Sequence, residues 1–287
     1  MNTVHKVTTA IMDAVLKPFE MLGDELALVL VSGIFGVLAL LVFKQISWQK
    51  GIKSTKDKIK GHMIAIRIYQ NDLGIVFKSV MKVLFRNGQY LGLNFGPILP
   101  LFVPFMLIAS QLVVRYAFAP LPVVEETELA ARLPGRGTMI EVHMKKGRED
   151  EVRGLSLAFP ENFQALSPLV TNALDGVALQ EVVARSSGAG EIELSIAGKP
   201  AGTKSIAAGD AIPRHMQPER VSSFWSSWLW PAEPTFPDES PIESVTFQYP
   251  NRDLRLLPGG AFGILLTFFL ASIVFGIAIL KPLNIQI

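Results

Sequence analysis

The sequence contains no cysteine. Disulfide staples, thiolate nucleophiles and thiolate-bound metals are therefore excluded. It is also poor in charge: Asp, Glu, Lys and Arg make up 18% of its 287 residues, against about 25% in ordinary soluble domains. The shortage is local. Residues 26–43, 87–114 and 256–280 hold no acid or base, in runs of 18, 28 and 25 residues. A helix needs roughly 20 apolar residues to cross hydrocarbon. The third run is long enough as it stands, the first with its flanks, and the second is too long to lie wholly in hydrocarbon. A Gly-rich phosphate loop, an HExxH pair and a GxSxG elbow are missing as well. His5, His62, His143 and His215 fall in separate segments, and Asp210 beside His215 is a pairing that chance readily supplies. These absences point to an integral membrane protein that is not an enzyme, with no catalytic residue, metal or cofactor and no DNA partner.

What charge there is, is sorted. Residues 1–25 carry a net of −2, residues 44–86 hold ten Lys and Arg against Asp57 and Asp72 (net +8), and residues 116–255 carry −6. Short loops rich in Lys and Arg stay cytoplasmic. The N-terminus is thus expected outside, the 44–86 loop inside, the long 116–255 segment outside and the tail inside. The expected home is the plasma (inner) membrane of a bacterium, crossed several times. The basic n-region and small-residue cleavage site of a signal peptide are missing, so the first span is expected to be retained.

The patterning divides the chain further. Residues 1–22 place Val4, Val7, Ile11, Val15 and Leu22 at helical spacing, an amphipathic helix expected on the outer membrane face. Spans are expected at 23–44, 94–116 and 256–280, followed by a tail at 281–287. Between the first two, 45–93 reads as a basic helical hairpin. Ile59, Met63, Ile66, Leu73, Phe77, Val80 and Leu84 alternate spacings of four and three, a coiled-coil seam, and Gln70, Asn71, Asp72 and Gly74 supply the turn. Lys53, Lys56, Lys58, Lys60 and Arg67 are its candidate basic contacts, too far out for all of them to anchor to lipid headgroups. Residues 117–255 alternate polar and apolar at period two, as in 139–144 and 191–196, with turns at Pro134-Gly135, Lys146-Gly147, Ser187-Gly188, Gly198-Lys199-Pro200 and Gly209-Asp210. That texture predicts an external β-sandwich-like domain. Trp48, Trp225, Trp228 and Trp230 are candidate interface anchors, since Trp favours the membrane–water boundary; the 224–230 loop reads equally as a cover for the sandwich core. The fold class expected is an α+β membrane protein with three transmembrane helices.

The second span opens on the uncharged run NFGPILPLFVPF. On a helix, Asn94, Pro97, Leu101, Pro104, Ile108, Gln111 and Arg115 share one face. Polar groups inside a span usually meet protein or a wet cavity, and prolines there free carbonyls that need the same company. Asn94, Pro100, Pro104, Gln111 and Arg115 are accordingly the candidate groove residues. The order of parts in residues 44–116, with KSTKDKIKGHMIAIRIYQNDLG and NFGPILPLFVPF, resembles the YidC/Oxa membrane-protein insertase superfamily, in particular its minimal branch containing the insertase subunit of the ER membrane complex. The resemblance implies an incomplete helical bundle with a wet groove through which short hydrophilic tails cross, and ribosomes, translocon components or nascent membrane proteins as partners beside the lipids. The chain departs from that pattern in two ways: residues 26–43 lack a basic residue, and a β-domain of about 140 residues stands where minimal members have a short connection. Two readings stay open. An insertase-like or chaperone-like protein would turn Thr267 and Ser272 toward Gln111. A non-catalytic accessory or scaffold subunit of a larger membrane complex would pack its third span through Gly263, Ala271 and Gly276 and bind partners with the β-domain.

Overall fold

The computed structural model describes residues 3–124 and 137–283. It is an α+β chain with six α-helices and two antiparallel sheets among those residues. The turn expected at Pro134-Gly135 and the end of the tail lie outside the described residues. Three segments are long and apolar enough to cross a membrane: Asp24–Ile46, Leu73–Tyr116 and Gly260–Leu280. The chain divides into two compact units, Met1–Glu25 with Leu107–Leu266, and Leu26–Met106 with Thr267–Ile287.

The first unit holds α1 (Thr3–Glu20) and the β-domain. Strands β1 (Thr138–Met144), β3 (Phe163–Ala165), β5 (Val177–Ala184), β8 (Glu219–Val221) and β9 (Ile242–Phe247) form a sheet in the order β3-β5-β1-β9-β8, and β4 (Val170–Asn172) also pairs with β5. A second sheet joins β2 (Leu155–Ala158), β6 (Gly188–Ile196) and β7 (Lys199–Ala208) in the order β2-β6-β7. The period-two pattern decides which side chains turn inward: Ile140, Val142 and Met144 on β1, Ile192 and Leu194 on β6, Val245 and Phe247 on β9. Between β6 and β7 only Ala197 and Gly198 remain, both at positive φ, the conformation that a two-residue hairpin turn requires. The two sheets face each other where Lys204 of β7 lies over the Phe247 ring of β9, 4.8 Å from its centre. Lys204 is fully buried, and its ammonium donates to Glu233 Oε1 at 2.5 Å and to the Gln217 carbonyl at 2.9 Å. Burial pushes this ammonium's pKa down, and Glu233 opposes the shift.

The second unit holds most of α2 (Asp24–Ile46), the hairpin helices α3 (Gln49–Ile68) and α4 (Leu73–Phe95), the start of α5 (Ile98–Tyr116) and most of α6 (Gly260–Leu280). Asp72 caps α4 by accepting from the Ile75 N–H at 3.0 Å. On α3 the shielded positions include Ile52, Thr55, Ile59, His62 and Ile66; on α4 they include Val76, Ser79, Val83, Arg86 and Tyr90. Both sets step by three and four, so the arms meet along a heptad seam. It is not the expected seam: Met63 on α3 and Leu73, Phe77, Val80 and Leu84 on α4 are all exposed. Helix α4 is apolar on more than one face, and a single partner arm covers only one of them. The small side chains of Thr55 and Ser79 sit in the face that packs.

Pro100 also differs from its expected place. Helix α5 begins at Ile98, so Pro100 stands in the first turn, where no N–H is needed. Pro104 alone interrupts the ladder inside the helix.

Candidate functional site

Helix α1 has two faces. Val4, Val7, Ile11 and Val15 are exposed in one stripe, and His5, Met12 and Leu16 are buried. The stripe that the sequence marks as apolar is thus in the open, and the face carrying Thr9 and Asp13 is the one that packs.

It packs on the end of α5. The Arg115 side chain is 1% exposed, and its guanidinium meets Asp13 Oδ1 at 2.5 Å. The same group donates to Gln111 Oε1 at 2.6 Å, and Gln111 Nε2 donates to Thr9 Oγ1 at 2.9 Å. From the loop before β8, His215 Nε2–H donates to Asp13 Oδ1 at 3.1 Å, and Arg214 lies 3.2 Å from that oxygen and 3.2 Å from Glu20 Oε2. Tyr116 donates its hydroxyl to Glu20 Oε1 at 3.1 Å. Burial alone would raise the Asp13 carboxyl, but the hydrogen bond and charge of Arg115, helped by His215, outweigh it and hold the group below its usual range. His215 is pushed down, first by burial and then by the Arg115 charge, with Asp13 opposing only in part. A neutral histidine beside a carboxylate and an arginine makes a clamp. It is not a nucleophile–base pair, because His215 bonds Asp13 and neither hydroxyl of the network, Thr9 or Tyr116, is bonded to it.

The other end of α1 is tied to the tryptophan loop. His5 Nε2–H donates to Ser227 Oγ at 3.0 Å, and Ser227 passes its own proton to the Phe224 carbonyl at 2.6 Å. Trp225 is exposed and stacks on Trp228, ring centres 6.1 Å apart. Trp230 turns inward and donates to Glu219 Oε2 at 2.9 Å. In the second unit Trp48 is exposed and lies over Gly51, where any Cβ would overlap its ring.

The second unit contains a groove of about 400 Å3 lined by α2, the end of α4, α5 and α6. Its wall includes Phe35, Ala39, Leu101, Phe105, Ile273 and Gly276. Phe35, Phe105 and Phe268 form a ring cluster, Phe105 and Phe268 lying 4.8 Å apart. At the groove's edge α2 and α6 approach closely: a Cβ on Gly36 would overlap the Ser272 carbonyl, and Gly276 lies against the Gly36 carbonyl. Gly263 instead packs on the carbonyl of Pro258 at the start of its own helix.

Two polar side chains line this wall. Ser272 spends its proton on the Ser32 carbonyl at 2.9 Å. Asn94 donates its amide to the Tyr90 carbonyl at 2.8 Å, and its Oδ1 is buried with no partner. An unpaired buried acceptor costs about 1–3 kcal/mol, and this one presents almost no surface to the groove.

The expected groove residues are therefore split. Asn94 lines the groove, Pro100 is exposed, Pro104 stands on α5 outside the groove wall, and Gln111 and Arg115 are spent on α1. Of the basic hairpin residues, Lys53, Lys58, Lys60 and Arg67 are exposed and Lys56 is half-buried. Sequence reasoning found Arg115 but not Thr9, Asp13, Arg214 or His215, about 100 residues away along the chain on either side. The one available signal was an acidic N-terminal segment facing a lone arginine at a span's end. Compared with known protein families, curated proteins and solved structures, the chain matches none.

Proposed function

We propose that the protein is a non-catalytic membrane subunit that holds an apolar membrane-spanning segment of another protein in the groove between α2, α5 and α6, as a scaffold or chaperone. The observation that carries this reading is the groove: it is apolar except for Ser272, already paired, and Asn94, whose unpaired acceptor is buried away from it. A transmembrane helix with an apolar face has the matching chemistry. An insertase that passes hydrophilic tails needs polar atoms free to line its path. Gln111 and Arg115, the residues best suited to that work, are tied to Thr9 and Asp13 of α1, and the one Arg115 donor without a partner, Nε–H, is buried. The close approach of α2 and α6 at Gly36 and Gly276 also fits the scaffold reading.

In the orientation we propose, the hairpin is cytoplasmic and the β-domain external, following the net charges of +8 and −6. The exposed stripe of α1 and the Trp225 loop then rest on the outer headgroups.

The test is co-purification in mild detergent. Gly276→Phe fills the groove, whereas Val274→Phe changes an exposed position on the same helix. A membrane protein retained by the native chain and by Val274→Phe, but lost by Gly276→Phe, is the expected result. Retention by both variants would remove the groove from the account.

A further inference from the structure

Charge on the hairpin's first arm is gathered at one end. Lys50, Lys53, Lys56, Lys58 and Lys60 fall in the first twelve residues of α3, and Arg67 alone in the last eight. A face that only kept the arm soluble has no reason to favour one end. Lys50, Lys53, Ser54, Asp57 and Lys58 step by three, one, three and one, which puts them on the side of α3 turned away from Ile52, Thr55 and Ile59. All five are exposed, and they border an open hollow of about 570 Å3. Three lysines against one aspartate leave it a net of +2. Among the described residues, no carboxylate forms an ion pair with Lys50, Lys53 or Lys58.

The crowded end is the one beside the membrane. Helix α2 stops at Ile46 and α3 starts at Gln49, so the hollow lies at the root of the hairpin. Two features mark the boundary there. Trp48 is exposed at the junction, its ring held over Gly51, and Trp favours the membrane–water interface. Lys44 Nζ donates to the Leu283 carbonyl at 2.7 Å, so α6 ends at the level of α2.

Distance then decides what the lysines can reach. Lys50 is the second residue of α3 and Lys58 the tenth, about 2 to 14 Å along the helix at 1.5 Å per residue. Any tilt of the arm brings them closer to the bilayer. The headgroup layer is about 5–8 Å deep on each side, and its charge is felt for about 8 Å beyond. All three ammonium groups are within that range.

We propose that the root of α3 holds the phosphate of an anionic lipid headgroup, with Lys50, Lys53 and Lys58 as its counter-charges and the Ser54 hydroxyl as a further donor. Basic clusters that adjoin the end of a span select anionic lipid in this way. A zwitterionic headgroup brings its own cation and is held less tightly. The site rests on α2 crossing a bilayer, as proposed above. It requires neither an occupant in the groove nor a particular side of the membrane for the hairpin.

The probe is phosphatidylglycerol. The full chain is placed in nanodiscs of phosphatidylcholine with a rising share of phosphatidylglycerol and transferred to mild detergent. The lipids it retains are counted by native mass spectrometry. The native chain should retain phosphatidylglycerol in preference to phosphatidylcholine. Lys50→Gln, Lys53→Gln and Lys58→Gln should each lower that preference about fivefold, and the triple variant should abolish it. The control Arg67→Gln/Lys78→Gln/Lys82→Gln removes the same charge nearer the hairpin's tip and should leave the preference unchanged. Gly276→Phe should also leave it unchanged, so a failed groove and a failed lipid site give different results. No preference in the native chain, or the same loss in both triple variants, overturns the proposal. So does release of the lipid by millimolar inorganic phosphate, which would make the free anion the ligand. Binding of a short RNA in zwitterionic nanodiscs, lost in the first triple variant, would overturn it in favour of nucleic acid.

Discussion

Asp13 and Arg115, like Lys204 and Glu233, form a buried ion pair in the first unit. Removing the carboxylate in Asp13→Ala strands a guanidinium that is 1% exposed, and breaking a buried pair from one side costs about 3 kcal/mol. Chemical denaturation followed at the β-domain should read that loss, and Asp13→Glu should recover part of it. Acid should act on the same cluster. The folded-state pKa of His215 lies below its usual 6.5, so its share of the stability is present above that pH and declines as pH falls through it. The Asp13 carboxyl is also held low, so its share survives until pH falls below the ordinary carboxylate range. Thermal stability should therefore drop in two steps on acidification, and His215→Asn should reduce the first, to which buried His5 also contributes, and leave the second. Arg115 was visible in the sequence because a charge at the end of an apolar run stands out. Its partners were not, because Thr9, Asp13 and His215 reach it only through the fold and share no spacing with it.

At the scale of elements, helical and strand periods located the hairpin, the turn at Asp72 and the alternating strands, because those patterns are local. Which face of a helix packs is not local. The sequence placed Phe77 and Leu84 in the hairpin seam, and the structure places Val76, Ser79 and Val83 there. The two assignments give opposite results for neighbouring residues. Val83→Asp buries a charge and should unfold the hairpin, and Leu84→Asp should leave its protease resistance unchanged. Proline makes a similar contrast on α5. Pro104 lies inside the helix and Pro100 in its first turn. Pro104→Ala should therefore stabilise the helix by up to about 3 kcal/mol, and Pro100→Ala should do little, as read by detergent-melt midpoints.

For the whole molecule, the number of apolar helices was legible because charge-free runs of that length have few other uses. The polar passage expected through the second span was not found, because Gln111 and Arg115 are paired with α1 and the groove that remains is apolar. Orientation rests on charge alone. Single cysteines at Ser54 and Ser187 should label oppositely with an impermeant thiol reagent in intact cells, Ser187 from outside and Ser54 only after lysis; the reverse pattern would turn the molecule over. The claim on which the function depends is that the groove receives a protein segment. A photo-crosslinking residue at Leu101, which lines the groove, can be compared in living cells with one at Val103, exposed on another side of α5. The account predicts adducts from Leu101 that map by mass spectrometry to a single apolar stretch of about 20 residues in a partner, with none from Val103. Adducts to lipid alone from Leu101, or the same partner from both positions, would contradict it.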